Sequence, residues 1–269
     1  MNYKERLTDK VIIVTGAGRS GTTILGKIIG SMEPAYYLFE PSVMKFVHDP
    51  DVLCATLFED YWMLQVQGRN LNHHEEEDSY YAHYIPDYFD VFGYTKRQDA
   101  LNECENSKLV IKLTEYQKRH SIFPGEKKVY IYRNGNDVID SMVKRGWYTD
   151  EYMETGYLDV LNYGAPWFLD RIARNNWSKY NQATRCSAVW RSSLEGKGIK
   201  DMVVGLRYED LKSYDFNTLA KWLDLGITEK TKQHIKSIRE PNKHRDITES
   251  IQKPERGRFL SLMGRLKYV

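Results

Sequence analysis

The chain has 269 residues, with 39 Lys+Arg against 37 Asp+Glu and a formal net charge of +2. So small a surplus excludes bulk electrostatic capture of nucleic acid or of an anionic membrane. Hydrophobic and charged shares of 41% and 28% exclude disorder as a class, and the length buries a full core in a single domain spanning 1–269.

The opening MNYKERLTDK is polar and lacks the apolar stretch of a signal peptide. No apolar run reaches the roughly 20 residues of a membrane span. Residues 10–15 form a short β-branched run that predicts a buried parallel strand. A Gly/Ser/Arg turn follows at 16–21, then a helix over 22–31. A second strand is predicted at Ala35–Phe39, ending at Glu40-Pro41, where the proline keeps Glu40 extended. Residues 43–66 read as mostly helical. Residues 67–90 are polar and aromatic and read as a loop, with a lid or acceptor loop expected near 67–95. Strands are predicted at 108–113 and Lys127–Tyr132, and a helix at 136–145. Residues 166–195 read as mainly helical, 202–208 as a fifth strand and 216–225 as a short amphipathic helix. Strands alternating with helices predict an α/β fold, with a central, mainly parallel sheet of about five strands flanked by helices. The three cysteines, Cys54, Cys104 and Cys186, are odd in number and widely spaced, so a reducing, cytoplasmic setting without disulfides is expected.

The turn Gly16-Ala-Gly-Arg-Ser-Gly-Thr-Thr23 between a strand and a helix aims free backbone N–H groups and a helix dipole at one point, which suits phosphate or a similar anion. Three readings compete. Gly16, Gly18 and Gly21 satisfy G-x-G-x-x-G, Glu40 lies 19 residues beyond Gly21, and Tyr208 and Lys212 form a Tyr-x-x-x-Lys pair, the pattern of a dinucleotide-dependent oxidoreductase. In that reading Tyr208, at a strand end, would not share a helix with Lys212. Gly16 and Gly21 also have P-loop spacing, but Thr22 stands where an NTPase needs lysine. A non-catalytic nucleotide-binding module is a further option.

The third reading rests on a resemblance. Gly18-Arg-Ser-Gly-Thr-Thr23 is similar to the 5′-phosphosulfate loop of Golgi-type and bacterial sulfotransferases, which use 3′-phosphoadenylyl sulfate. Tyr36-Tyr-Leu-Phe-Glu-Pro41 and Leu109-Val-Ile-Lys-Leu113 resemble the second and third strands of the carbohydrate enzymes. Arg133 and Ser141, in Val129-Tyr-Ile-Tyr-Arg-Asn-Gly-Asn-Asp-Val-Ile-Asp-Ser141, resemble the 3′-phosphate motif, and Leu206-Arg-Tyr-Glu-Asp-Leu211 resembles a later family segment. The motifs occur in family order from residue 11 to 211.

The resemblance implies a P-loop-like three-layer fold and a sulfotransferase. Gly18, Arg19, Ser20, Gly21, Thr22 and Thr23 would take the phosphosulfate, and Arg133 and Ser141 the 3′-phosphate. Sulfuryl transfer needs in-line geometry and positive charge near the leaving phosphate, which Arg19 and Lys112 supply without a metal. Arg19 stands where the cytosolic branch has lysine. The resemblance makes Glu40 the general base. His48 competes for that role, but no local motif carries it, so it stays outside the catalytic set.

Each candidate also has a plainer reading: a surface ion pair of Arg133 with Asp137, a solvated strand-end Lys112, and a structural carboxylate for Glu40. His73, His74, Glu75, Glu76, Glu77, Asp78 and His83 read as a solvated acidic loop rather than a metal site. Tyr80, Tyr81, Tyr84, Tyr88 and Phe89 read either as an acceptor lid or as ordinary packing. Arg256 and Arg258 lie in a basic stretch that reads as a solvated tail or as weak cofactor contacts. The expected acceptor is a hydroxyl of a glycan, lipid headgroup or small natural product, or an amine. The sequence does not choose among these and leaves the oligomeric state open.

Overall fold

The computed structural model describes residues 2–41, 43–46, 49–66, 94–114, 123–151, 160–161, 165–166, 169–195, 204–240 and 245–268. His48, the acidic His/Glu run and the aromatic lid candidates lie outside them.

Five parallel strands form the sheet: β1 Val11–Gly16, β2 Ala35–Phe39, β3 Lys108–Thr114, β4 Lys127–Tyr132 and β5 Val204–Arg207, in the order β2-β3-β1-β4-β5. The side-chain period of two gives the sheet two apolar faces. Val11 and Ile13 of β1 pack with Leu109 and Ile111 against Phe58, Tyr61 and Trp62 of a helical stretch over 50–66. Its centre, Leu57–Trp62, is π-helical. Ile12 and Val14 point the other way, against Leu25, Ile28 and Ile29 of α1 (Thr22–Gly30). The three-layer α/β arrangement follows.

Two expectations fall short between the strands. No element was predicted over 94–107, yet α2 occupies Tyr94–Asn106. Only Ala100 and Cys104 of its described side chains are buried, too narrow a stripe to show in the sequence. α3, Gly135–Lys144, starts one residue earlier than predicted because Asn134 caps it, its side chain accepting from the Asn136 N–H. A two-residue antiparallel ladder pairs Val160–Leu161 with Ala165–Pro166. The predicted helical region resolves into Arg171–Asn176, a 3₁₀ turn Trp177–Lys179 and α4, Gln182–Leu194. α5, Phe216–Leu223, stops at Asp224 in the left-handed region, two residues short of the predicted end. α6, Glu229–Lys236, and α7, Glu255–Arg265, complete the chain.

α7 corrects the reading of the C-terminal stretch as a solvated tail. Glu255, Phe259, Leu262 and Met263 are buried on one helical face. Phe259 meets Trp190 of α4 with ring centroids 5.4 Å apart. Arg191, itself fully buried, donates to Glu255 at 2.7 Å and to Asp170 at 2.5 Å. Burial costs charges heavily unless they are paired and hydrogen-bonded, and this cluster meets that condition.

The register puts Gly16 opposite both Thr114 and Ile131, Phe39 opposite Lys112, and Tyr132 opposite Arg207. The turn after β1 and the residues after β2, β4 and β5 therefore emerge at one edge of the sheet. From β1 the chain leaves for β2 on one side; from β4 it leaves for β5 on the other. Loops that part in this way leave a crevice between them, where open α/β sheets bind ligands.

Candidate functional site

The turn between β1 and α1 depends on two close approaches. A Cβ on Gly16 would stand 2.2 Å from the Ile131 carbonyl oxygen, so glycine lets the turn cross the end of β4. Gly21 has φ +97°, and a Cβ there would lie 2.4 Å from the Tyr208 ring. Ser20 donates its N–H to the Ala17 carbonyl at 3.1 Å, tightening the loop. Gly21 gives α1 no side-chain cap, so the first-turn N–H groups and the positive end of the dipole remain available at this point. The Ser20 hydroxyl is buried and has no hydrogen-bond partner among the described residues.

Arg19 sits in the left-handed region at φ +67°. Its side chain crosses to α3, where Nε donates to Ser141 Oγ at 3.0 Å, and its guanidinium lies 6.0 Å from the Trp147 ring. Ser141 thus touches the glycine turn directly, across 122 residues of sequence.

Arg133 is the first residue after β4. Its guanidinium lies 4.6 Å over the Tyr208 ring, the same ring that rests on Gly21. Nε and Nη2 reach Asp137 Oδ2 at 3.2 and 3.1 Å, so the pairing with Asp137 weighed from the sequence is present. The Arg133 carbonyl accepts from Trp190 Nε1 at 3.2 Å.

Glu40 follows β2 with φ +43°, left-handed rather than extended as the following proline predicts. Its N–H still donates to the Lys112 carbonyl at 2.9 Å, and its carboxylate pairs with the Lys112 ammonium. Non-glycine residues in this region cost of order 1–3 kcal/mol each and concentrate at functional sites; here two, Arg19 and Glu40, stand at one edge of the sheet. Lys112 is 3% exposed, which overturns the solvated reading. It lies inside β3, which runs on to Thr114, and its ammonium is 4.3 Å from the Phe39 ring centroid.

The candidates therefore fall into two groups. Arg19 meets Ser141 at the turn, and Tyr208 links the turn's Gly21 to Arg133. Glu40 and Lys112 form the second. α1 joins the groups, because it grows out of the turn and a Cβ on its Gly26 would lie 3.1 Å from Lys112 Cβ. Gly18 and Thr22 are buried in the turn and the first turn of α1, and Thr23 is half-buried beside them.

Other residues fall elsewhere. Arg256 pairs with Glu249 at 2.8 Å, and Arg258 with Asp170 at 2.8 Å, so both arginines serve the C-terminal packing. Tyr208 and Lys212 do share a 3₁₀ segment, Tyr208–Ser213, contrary to expectation. With three residues per turn, positions four apart do not align, and Lys212 pairs instead with Glu240. Sequence reasoning placed Tyr208 in the Tyr-x-x-x-Lys pair and, with Glu209, in a family-like segment, and Asp137 as an ion-pair partner of Arg133, but it gave none of the three a role at the turn. The available signal was the position of Tyr208-Glu209 directly after a strand that ends at the ligand edge.

No protein-family model matches the sequence, and no curated protein matches it. Among solved structures, the sulfotransferase domain from the curacin biosynthetic pathway superposes with a TM-score of 0.50 at 16% identity, covering 96% of this chain and 98% of that one. The fold is that of a sulfotransferase domain. The sulfotransferase domain from the Synechococcus PCC 7002 olefin synthase gives a TM-score of 0.49 at 15% identity, over 96% of this chain and 94% of that one. Sulfotransferase STF1 from Mycobacterium tuberculosis H37Rv gives 0.49 at 15%, over 96% and 78%. Among the described residues of this sulfotransferase fold, no helix is long and apolar enough to cross a membrane.

Proposed function

We propose that this protein is a sulfotransferase of the cytoplasm that moves the sulfuryl group of 3′-phosphoadenylyl sulfate to an acceptor hydroxyl or amine. The observation that carries the reading is the Arg19–Ser141 hydrogen bond, which joins the turn after β1 to the helix after β4. A donor with a phosphosulfate at one end and a 3′-phosphate at the other requires two neighbouring anion sites, and these two loops are suited to supply them. The turn fits an anion on its own chemistry. It offers α1 N–H groups, an arginine and a buried serine hydroxyl without a partner among the described residues. Gly18 to Thr23 would hold the phosphosulfate. Arg133 and Ser141 would hold the 3′-phosphate, the arginine through its planar fork.

Glu40 would accept the proton as the acceptor oxygen forms its bond to sulfur and the bond from sulfur to the bridging phosphate oxygen breaks. Adenosine 3′,5′-bisphosphate then leaves with the electron pair. Lys112 holds the Glu40 carboxylate until that proton arrives. Neutralising Glu40 weakens the pair and turns the lysine charge toward the transferring group, while Arg19 faces the leaving phosphate. This scheme calls on no metal. The segment near 67–95 is proposed as the acceptor lid of a single domain, and glycans, lipid headgroups and small natural products are the acceptor classes to screen.

Release of adenosine 3′,5′-bisphosphate across such an acceptor panel tests the activity. With an acceptor in hand, Glu40→Gln should lower turnover by at least ~100-fold while donor affinity stays, as loss of a general base requires. Near-normal turnover removes Glu40 from the role.

A further inference from the structure

Arg133 is held on four sides, and two of the holds come from one dipeptide. The Tyr208 ring lies 4.6 Å from the guanidinium carbon on one side, and on the other it packs so closely on Gly21 that a Cβ there would come within 2.4 Å. The tyrosine hydroxyl is turned away, donating to the Arg239 carbonyl at 3.3 Å. The next residue, Glu209, accepts from the Asn134 N–H at 2.9 Å through Oε1 and from the Tyr268 hydroxyl at 2.9 Å through Oε2. Asn134 follows Arg133 and caps α3, so this carboxylate fixes the backbone from which Arg133 departs. Asp137 and Trp190 supply the other two holds.

We infer that Tyr208 and Glu209 are positioning residues that set the separation between the glycine turn and Arg133. The inference rests on the sulfotransferase reading and deepens it. The ring acts as a spacer. Its edge limits how far the turn can move toward β5, and its face fixes the guanidinium by cation–π attraction, which consumes none of the N–H donors, two of which Asp137 takes. Glu209 removes the remaining freedom by anchoring the first residue of the α3 cap. A donor gripped at both ends needs a fixed span between its sites, because each ångström of misfit loses the advantage of the second contact. A ligand with an anion at one end only has no such requirement.

The test compares two ligands by calorimetric titration: adenosine 3′,5′-bisphosphate, which has both ends, and adenosine 5′-phosphate, which has one. Tyr208→Leu keeps apolar bulk but removes the aromatic face. It should weaken the bisphosphate by about 5- to 30-fold, the range of a desolvated cation–π contact, and change the monophosphate by less than about 2-fold. Tyr208→Phe keeps the face and should restore the wild-type ratio. Glu209→Ala should lower the ratio in the same direction. A merely structural role would weaken both ligands together and lower the melting temperature in proportion. An unchanged ratio in Tyr208→Leu, equal losses for both ligands, or a Phe variant that behaves as Leu would each overturn the inference. If the wild-type protein binds neither ligand, the sulfotransferase reading itself has failed.

Discussion

Ser20 carries a hydroxyl that the fold shields from water and leaves without a partner among the described residues. An unpaired buried hydroxyl costs about 1–3 kcal/mol, so a residue kept in that state adds little to stability. Ser20→Ala should leave the melting temperature unchanged or raise it slightly, while adenosine 3′,5′-bisphosphate binds about 10- to 150-fold less tightly, as loss of one hydrogen bond to a charged ligand predicts. Scanning calorimetry and titration on the same sample check both halves. A destabilised variant with intact affinity would make Ser20 an ordinary structural residue. At this scale the sequence singled out candidate residues but not what they touch. Glu40 stood out as a carboxylate before proline at a strand end. Its partner Lys112 lies 72 residues away and is brought beside it only by the β2–β3 register, which pairs Phe39 with Lys112. The contacts of Tyr208 stayed hidden for the same reason: its neighbours Gly21 and Arg133 belong to other strands' loops.

Elements were legible where one pattern dominated. All six β1 residues are buried, and a β-branched run of that kind needs no context to be read as a central strand. α2 is polar along most of its length, and α7 hides Phe259, Leu262 and Met263 among charges that only the folded chain neutralises. Those charges make a clasp between α4 and α7, and its acid sensitivity can be worked out. Burial acts to raise the Asp170 pKa, but hydrogen bonds from Arg258, the Ala173 N–H and Arg191 outweigh it and hold the carboxyl below its usual range. A depressed folded-state pKa contributes stability above the unfolded value of about 3.9 and loses it as pH falls through the folded value. Glu255 runs the opposite way, since burial raises it despite Arg191. Asp170→Asn keeps a good cap for the helix Arg171–Asn176 but removes the charge. Allowing for the partial exposure of Asp170, the variant should be about 1–3 kcal/mol less stable near neutral pH. The gap should narrow as the pH is taken below 4. Urea midpoints at both pH values decide it, and a gap that does not change with pH would mean that Asp170 acts only as a hydrogen-bond acceptor.

For the molecule as a whole, the decisive feature is the strand order β2-β3-β1-β4-β5, which parts the loops after β1 and β4 and, on the proposed reading, would give each half of the sheet one anion site. A donor lying across that crevice would tie the two halves together, so its binding should appear as global stability. Ligand at about 100 times its dissociation constant adds roughly 2.7 kcal/mol to the folded state. For a domain of this size that corresponds to a rise of about 5–10 °C in melting temperature. Adenosine 3′,5′-bisphosphate should produce this rise, whereas NAD(H) and ATP at the same concentration should not. The competing readings of the glycine turn separate here on physical grounds. A dinucleotide site needs a ribose carboxylate, and Glu40 is already engaged by Lys112. An NTPase needs a lysine where Thr22 stands, buried at the start of α1. On the proposed reading, the bisphosphate would place one anion at each of the two loops. A selective rise with NAD(H) would overturn this assignment, because a ligand can shift unfolding only by what it gains from the folded form.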